Sequence, residues 1–125
     1  MTTGSMTLTA DTPAAARTAR TAFMEELDRW ECGRVADALL VFSELVTNAV
    51  NHGGGATRID VVHGDKTLRF EVHDTTRRVP QLRDIAGPAG GFGLRIVDQV
   101  SEGWGWEHTA SGKVVWCAVR CCIDD

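Results

Sequence analysis

FSELVTNAVNH, residues 42–52, is the most informative stretch of this 125-residue chain. Its apolar residues recur at three- and four-residue steps, which is the period of a helix with one buried face. The pattern begins near Arg34, and the glycines at 53–55 end it. Within it, Glu44 and Asn48 stand four positions apart, so their side chains lie one above the other on the helix. The sequence therefore predicts a core helix from about Arg34 to His52 that also carries a polar strip.

The residues before this helix predict another helix. Thr12 followed by Pro13 is a helix start, because Pro suits the first helical position and Thr can cap free N–H groups. Cys32-Gly33 ends this helix, and its apolar stripe consists of Ala16, Ala19, Phe23, Leu27 and Trp30. Residues 1–10 are expected to form a flexible or edge-pairing arm, which leaves 11–125 as a single domain.

After residue 55 the hydrophobic period changes from that of a helix to that of a strand. Residues 59–62 and 68–74 predict two strands joined by a hairpin turn. Residues 75–93 form a loop without periodicity, 94–100 a short helix, and the chain closes with a hairpin. This order predicts an α+β fold, a two-layer sandwich with helices packed on one face of a mixed, mostly antiparallel sheet.

Composition excludes several classes of function. The chain has 13 Lys and Arg against 17 Asp and Glu, so it lacks the basic excess that direct nucleic-acid binding needs. It contains neither an apolar run of about 18 residues nor the features of a signal peptide, so we expect a cytoplasmic protein without membrane contact. Four cysteines without C-x-x-C spacing predict buried thiols instead of zinc ligands or a disulfide framework: Cys32, Cys117, Cys121 and Cys122.

The Glu44 and Asn48 pair is the first candidate for chemistry. An amide oxygen can ligate a hard cation, and a neighbouring carboxylate can accept a hydroxyl proton or orient a nucleophile. These two properties suit a metal-dependent phosphoryl-transfer site. The alternative is an ordinary solvated helix face.

Asp74 is the second candidate, because it has the same strand parity as the apolar Leu68, Phe70 and Val72. Its carboxylate is therefore expected to point towards the core, where it is costly unless something pairs with it. A carboxylate there can accept a hydrogen bond from the amino group of adenine. The alternative is an Asp at a strand end that caps the following turn.

The third candidate is the run Gly90-Gly91-Phe92-Gly93, which precedes the short helix that begins at Leu94. Glycines let the backbone approach phosphates closely, and a helix start offers free N–H groups. The alternative is a flexible linker. The run matches neither a Walker-type loop nor a Rossmann turn.

Taken in order, these motifs resemble the GHKL ATPase superfamily, and within it the small bacterial anti-sigma factor kinases of actinobacterial type. Residues 43–49 followed by His52 resemble the asparagine box. Asp74 matches the adenine-binding Asp, and residues 91–94 resemble the second glycine box. The hairpin around 112–116 is similar to the closing hairpin of this subgroup. The resemblance extends from about residue 11 to 119.

The resemblance implies ATP and Mg²⁺ as ligands. Asn48 would ligate magnesium, Glu44 would be the catalytic base or would orient water, and Asp74 would bind the adenine amino group. The other nucleotide-binding positions that we expect are His52, Thr76, Arg78, Gly91, Phe92, Gly93 and Leu94.

The chain departs from the family at the first glycine box, Asp-x-Gly-x-Gly. Here Asp74 is followed by Thr-Thr-Arg-Arg-Val-Pro, residues 75–80, with no glycine. Thr75 and Thr76 can substitute as hydroxyl donors, and Arg77 and Arg78 can reach phosphates. The other outcome is a partly closed pocket with weak or lost kinase activity.

We therefore expect an ATP-binding regulator that resembles anti-sigma factors and phosphorylates a serine on an anti-anti-sigma partner of the STAS type. Its expected protein partners are a sigma factor, that STAS protein and a second copy of the chain in a homodimer. The alternative is a non-catalytic module that regulates transcription by sequestering a partner.

Overall fold

The protein is a sandwich of a helical layer on a five-stranded sheet in the computed structural model, which describes residues 4–52, 54–64, 66–77 and 94–121. The sheet order is β1-β2-β3-β5-β4, and each neighbouring pair is antiparallel. This architecture confirms the predicted α+β sandwich. The elements are β1 Gly4–Ala10, α1 Pro13–Arg29, α2 Val35–His52, β2 Ala56–His63, β3 Thr67–Asp74, α3 Leu94–Val100, β4 Gly103–Thr109 and β5 Gly112–Arg120.

The helix boundaries follow local chemistry. Thr12 has an extended backbone, and its hydroxyl accepts a hydrogen bond from the Ala15 N–H at 3.1 Å, as its predicted capping role requires. The first helix ends at Arg29, before the predicted Cys32-Gly33, because Glu31 adopts a positive φ of 58°. Among the described helices, none is long and apolar enough to cross a membrane.

Three aromatic rings join the two layers in the core. Phe23 of α1 stacks on Phe42 of α2, with ring centroids 4.4 Å apart. Phe70 of β3 meets both rings edge-on, at 5.4 and 6.1 Å. All three side chains are fully buried, and such aromatic pairs add to the stabilisation from buried area. This cluster fixes α2 above β3, the two elements that carry most of the described candidate residues.

At one edge of the sheet, β1 pairs antiparallel with β2. The hydroxyl of Thr7 donates to the Asp60 carboxylate on β2 at 2.9 Å. Residues 4–10 are therefore an edge strand of the domain.

The cysteines correct one expectation. Cys32 and Cys121 form a disulfide, with their Cα atoms 5.1 Å apart, although both were predicted to be thiols. The loop between α1 and α2 reaches the end of β5, where the Gly33 N–H donates to the Cys121 carbonyl at 2.8 Å. Cys117 is a buried free thiol, and Cys122 lies outside the described residues. Sequence spacing could not reveal a bond that joins residues 89 positions apart.

Candidate functional site

Three chain segments converge at the end of the sandwich where α2 and β3 finish and β5 begins. Gly55 has φ +104°, and its N–H donates to the Ala49 carbonyl at 2.8 Å, which closes the end of α2. Gly112 starts β5 against the backbone of Thr75, where an added Cβ would lie only 2.7 Å from the Thr75 Cα. Only glycine therefore allows the β4–β5 hairpin to approach the end of β3 this closely.

The polar strip of α2 is divided between two faces. Glu44, Asn48 and His52 are four residues apart in succession, and all three are half-buried. The other polar residues of the strip line a separate cleft of about 230 Å³ between α1 and α2: Ser43, Thr47 and Asn51. The three predicted site residues of this helix therefore form one row at four-residue steps, and the other three polar residues line the cleft beside α1.

Asp74 lies on the inner face of the sheet, as the strand alternation predicts, and is only 4% exposed. Its Oδ2 accepts a hydrogen bond from the Lys113 Nζ at 2.8 Å, and its Oδ1 accepts one from the Thr76 N–H at 3.0 Å. The two charged residues face each other directly across the β3–β5 pairing. A buried carboxylate is costly when it is alone, and this ion pair compensates its charge.

Lys113 is a further candidate for this site that the sequence motifs do not indicate. It belongs to the closing hairpin, where it is 6% exposed and lies on the inner face of β5. The alternation that identified Asp74 could have identified it, because Lys113 has the parity of the buried Val115, Cys117 and Val119.

The other predicted residues have different surroundings. Thr76 contributes its backbone N–H to Asp74, and its side chain is half-buried. Leu94 begins α3 with its side chain in the core, so only its backbone can serve a ligand. Arg77 donates to the Thr109 carbonyl at 2.9 Å and so joins the segment after Asp74 to the β4–β5 hairpin. Four predicted residues lie outside the described part of the chain: Arg78, Gly91, Phe92 and Gly93.

The donor set fits a magnesium nucleotide. Asn48 offers an amide oxygen, and Glu44 a carboxylate one helical turn away, which are the ligand types that hard cations prefer. Among the described residues each carboxylate oxygen of Asp74 has one hydrogen-bond donor, so each oxygen can also accept a hydrogen bond from a base amino group.

A second cluster of ionisable groups lies on the outer face of the sheet. Potential metal-ligating atoms of Asp60, Glu71 and His73 all lie within 4.8 Å of one another. Arg58 pairs with Asp60 at 2.9 Å, however, and Arg69 pairs with Glu71 at 3.1 Å. Because guanidinium groups already neutralise both carboxylates, this cluster is a surface ion-pair network.

Known proteins share this fold and this sequence pattern. The chain is similar to the crystal structure of the RsbU and RsbW domains of Rv1364c from Mycobacterium tuberculosis, with a TM-score of 0.71 and 25% sequence identity. The match covers 94% of this chain and 32% of the other, so this chain spans about a third of the length of the chain that it matches. No curated protein sequence matches significantly. The family model of the histidine kinase-like ATPase domain matches residues 9–119. The chain therefore belongs to the histidine kinase-like ATPase domain family.

Proposed function

We propose that this protein binds ATP with magnesium and transfers the γ-phosphate to a serine or threonine of a partner protein, as a regulator of the anti-sigma factor type. The observation that carries the proposal is Asp74, a buried carboxylate at the end of β3 with acceptor capacity left on both oxygens. Asp74 lies within the part of the chain that matches the ATPase domain family, which supports a nucleotide as its ligand.

Each candidate residue has a distinct role in the proposed reaction. Asp74 accepts a hydrogen bond from the amino group of the base, and the amide oxygen of Asn48 serves as the metal ligand. Magnesium in such a site supplies neutralisation of phosphate charge. Glu44 accepts the proton of the attacking hydroxyl, so that the phosphoryl group passes to the partner and ADP leaves. Further nucleotide contacts come from His52, Thr76, Leu94 and the positions at Arg78, Gly91, Phe92 and Gly93.

The proposed partners are proteins. Similarity to a structure that contains an RsbW domain supports a regulator of this class. We propose that a sigma factor and an anti-anti-sigma protein of the STAS type bind the chain, that it acts as a homodimer, and that it works in the cytoplasm. The formal net charge of −4 agrees with protein and nucleotide partners more than with direct nucleic-acid binding.

Calorimetry with MgATP tests the binding step. We expect binding to the wild-type protein and at least a tenfold loss in Asp74→Asn and Asn48→Ala, because each removes a charge-assisted or metal contact of about 1.5–3 kcal/mol. Asn51→Ala is the matched control, since Asn51 belongs to the same helix but lines the cleft between α1 and α2. Absence of MgATP binding to the wild-type protein would overturn the proposal.

A second candidate is a non-catalytic module that sequesters a partner. Two observations favour it: no glycine follows Asp74 in residues 75–80, and Asp74 is already paired with Lys113. Incubation with γ-labelled ATP and a STAS protein separates the two functions. Label transfer that is lost in Glu44→Ala supports the kinase, whereas tight partner binding without transfer supports sequestration.

A further inference from the structure

The Lys113 ammonium has more hydrogen-bonding capacity than the fold uses. Its side chain is 8% exposed, and it donates to the Asp74 carboxylate at 2.8 Å. An ammonium has three N–H donors, and within the described residues this is the one hydrogen bond that it makes. Buried donors are almost always paired in folded proteins. Since the described residues supply no second acceptor, the remaining N–H groups can donate to an acceptor on a ligand.

Together, Asp74 and Lys113 present an acceptor beside a donor. Asp74 keeps a lone pair on each oxygen, and the donating Nζ lies 2.8 Å from Oδ2. The edge of adenine has the complementary order, because its amino group donates and the adjacent ring nitrogen N1 accepts. We propose that Lys113 is a second base-recognising residue, whose ammonium donates to N1 while Asp74 accepts from the amino group. This inference rests on the proposed ATP site.

The same pair discriminates against guanine. In the same orientation guanine places its O6 acceptor against the Asp74 carboxylate and its N1–H donor against the Lys113 ammonium. Both contacts then join like with like, and mismatched polar groups in a buried site are strongly unfavourable. Lys113 thereby contributes to the selectivity for adenine over guanine, in addition to neutralising the charge of Asp74.

The test combines two changes: Lys113 is substituted in the protein, and N1 of the base is replaced in the ligand. Calorimetry compares ATP with its 1-deaza analogue, in which C–H replaces N1, and uses the 7-deaza analogue as a matched control. We expect the wild-type protein to bind 1-deaza-ATP about 10- to 100-fold more weakly than ATP, which is the range for a hydrogen bond to a charged group. The 7-deaza analogue changes a ring atom outside the proposed contacts and should bind within about threefold of ATP.

In Lys113→Met the difference between ATP and 1-deaza-ATP should fall below about threefold, because the donor is gone. Lys113→Gln is a second variant whose amide can still pair with Asp74, and its shorter, uncharged side chain should also reduce the ratio. Thermal unfolding identifies which of the variants is folded under the assay conditions. A folded variant that keeps the wild-type ratio, or a wild-type protein that does not distinguish the two ligands, overturns the inference.

Asp74→Asn separates this inference from the function on which it rests. If wild-type protein binds ATP and Asp74→Asn weakens binding, the nucleotide site stands whatever the N1 ratio. If the wild-type protein binds no ATP, both proposals fail.

Discussion

Removing the Lys113 ammonium should destabilise the fold far more than removing an exposed cation. Lys113→Met leaves the Asp74 carboxylate buried with the Thr76 N–H as its one remaining donor among the described residues. Breaking a buried ion pair by deleting one partner costs about 3–5 kcal/mol, because a buried charge is left uncompensated. At 4% and 8% side-chain exposure for Asp74 and Lys113, solvent can screen little of this cost. This loss is a large part of the free energy of unfolding of a whole domain, which is roughly 5–15 kcal/mol.

The double variant Asp74→Asn, Lys113→Met separates the lost charge pairing from lost packing. Neutralising the stranded carboxylate should recover most of the stability, since uncharged replacements of buried ion pairs are often close to neutral. Urea titration followed by tryptophan fluorescence gives the free energies of unfolding. Arg29→Met is the control, because its pair with Glu26 is 69% exposed on the arginine side and such surface pairs contribute at most about 1 kcal/mol. A loss below about 1 kcal/mol in Lys113→Met, or a double variant no more stable than it, would refute this reasoning.

Three further predictions concern the core, the hairpin and alkaline pH. Phe42→Ala should cost about 3–5 kcal/mol in urea titration, because it opens a cavity between Phe23 and Phe70; a cost below 1 kcal/mol would contradict this. Gly112→Ala should weaken MgATP binding, since its Cβ would lie 2.7 Å from the Thr75 Cα, whereas Gly103→Ala, which meets nothing within 4 Å, should bind normally. Burial raises the pKa of the Cys117 thiol from 9.0 to about 12, so the unfolded chain loses this proton first. Stability should therefore fall between about pH 9 and about pH 12, and Cys117→Ala should reduce that slope in urea titrations at several pH values.

Local patterns were enough to predict most of the elements. Pro13 starts α1, Leu94–Val100 is the predicted short helix, and Asp74 faces inward as its parity requires. In each case the signal lies within a few residues and depends on helix or strand periodicity alone.

Pairings between distant segments could not be predicted in this way. The Asp74–Lys113 ion pair spans 39 positions, and the Cys32–Cys121 bond spans 89. Both depend on how β5 aligns against its neighbours, and that register is a property of the assembled sheet. The division of the α2 polar strip likewise required the position of α1, which forms the other wall of the cleft at Ser43 and Asn51.

The disulfide also determines which parts of the molecule can adjust to a ligand. It joins the loop before α2 to the end of β5, at the far end of the sandwich from Asp74. The helix that carries Asn48 and the strand that carries Lys113 are thus fastened to each other behind the site. Because α2 and β5 are joined at that end, their separation at the site can change only if the helix or the strand bends. The parts of the described site that can shift towards a ligand are therefore residues 75–77 and the tip of the β4–β5 hairpin, which Arg77 joins to them.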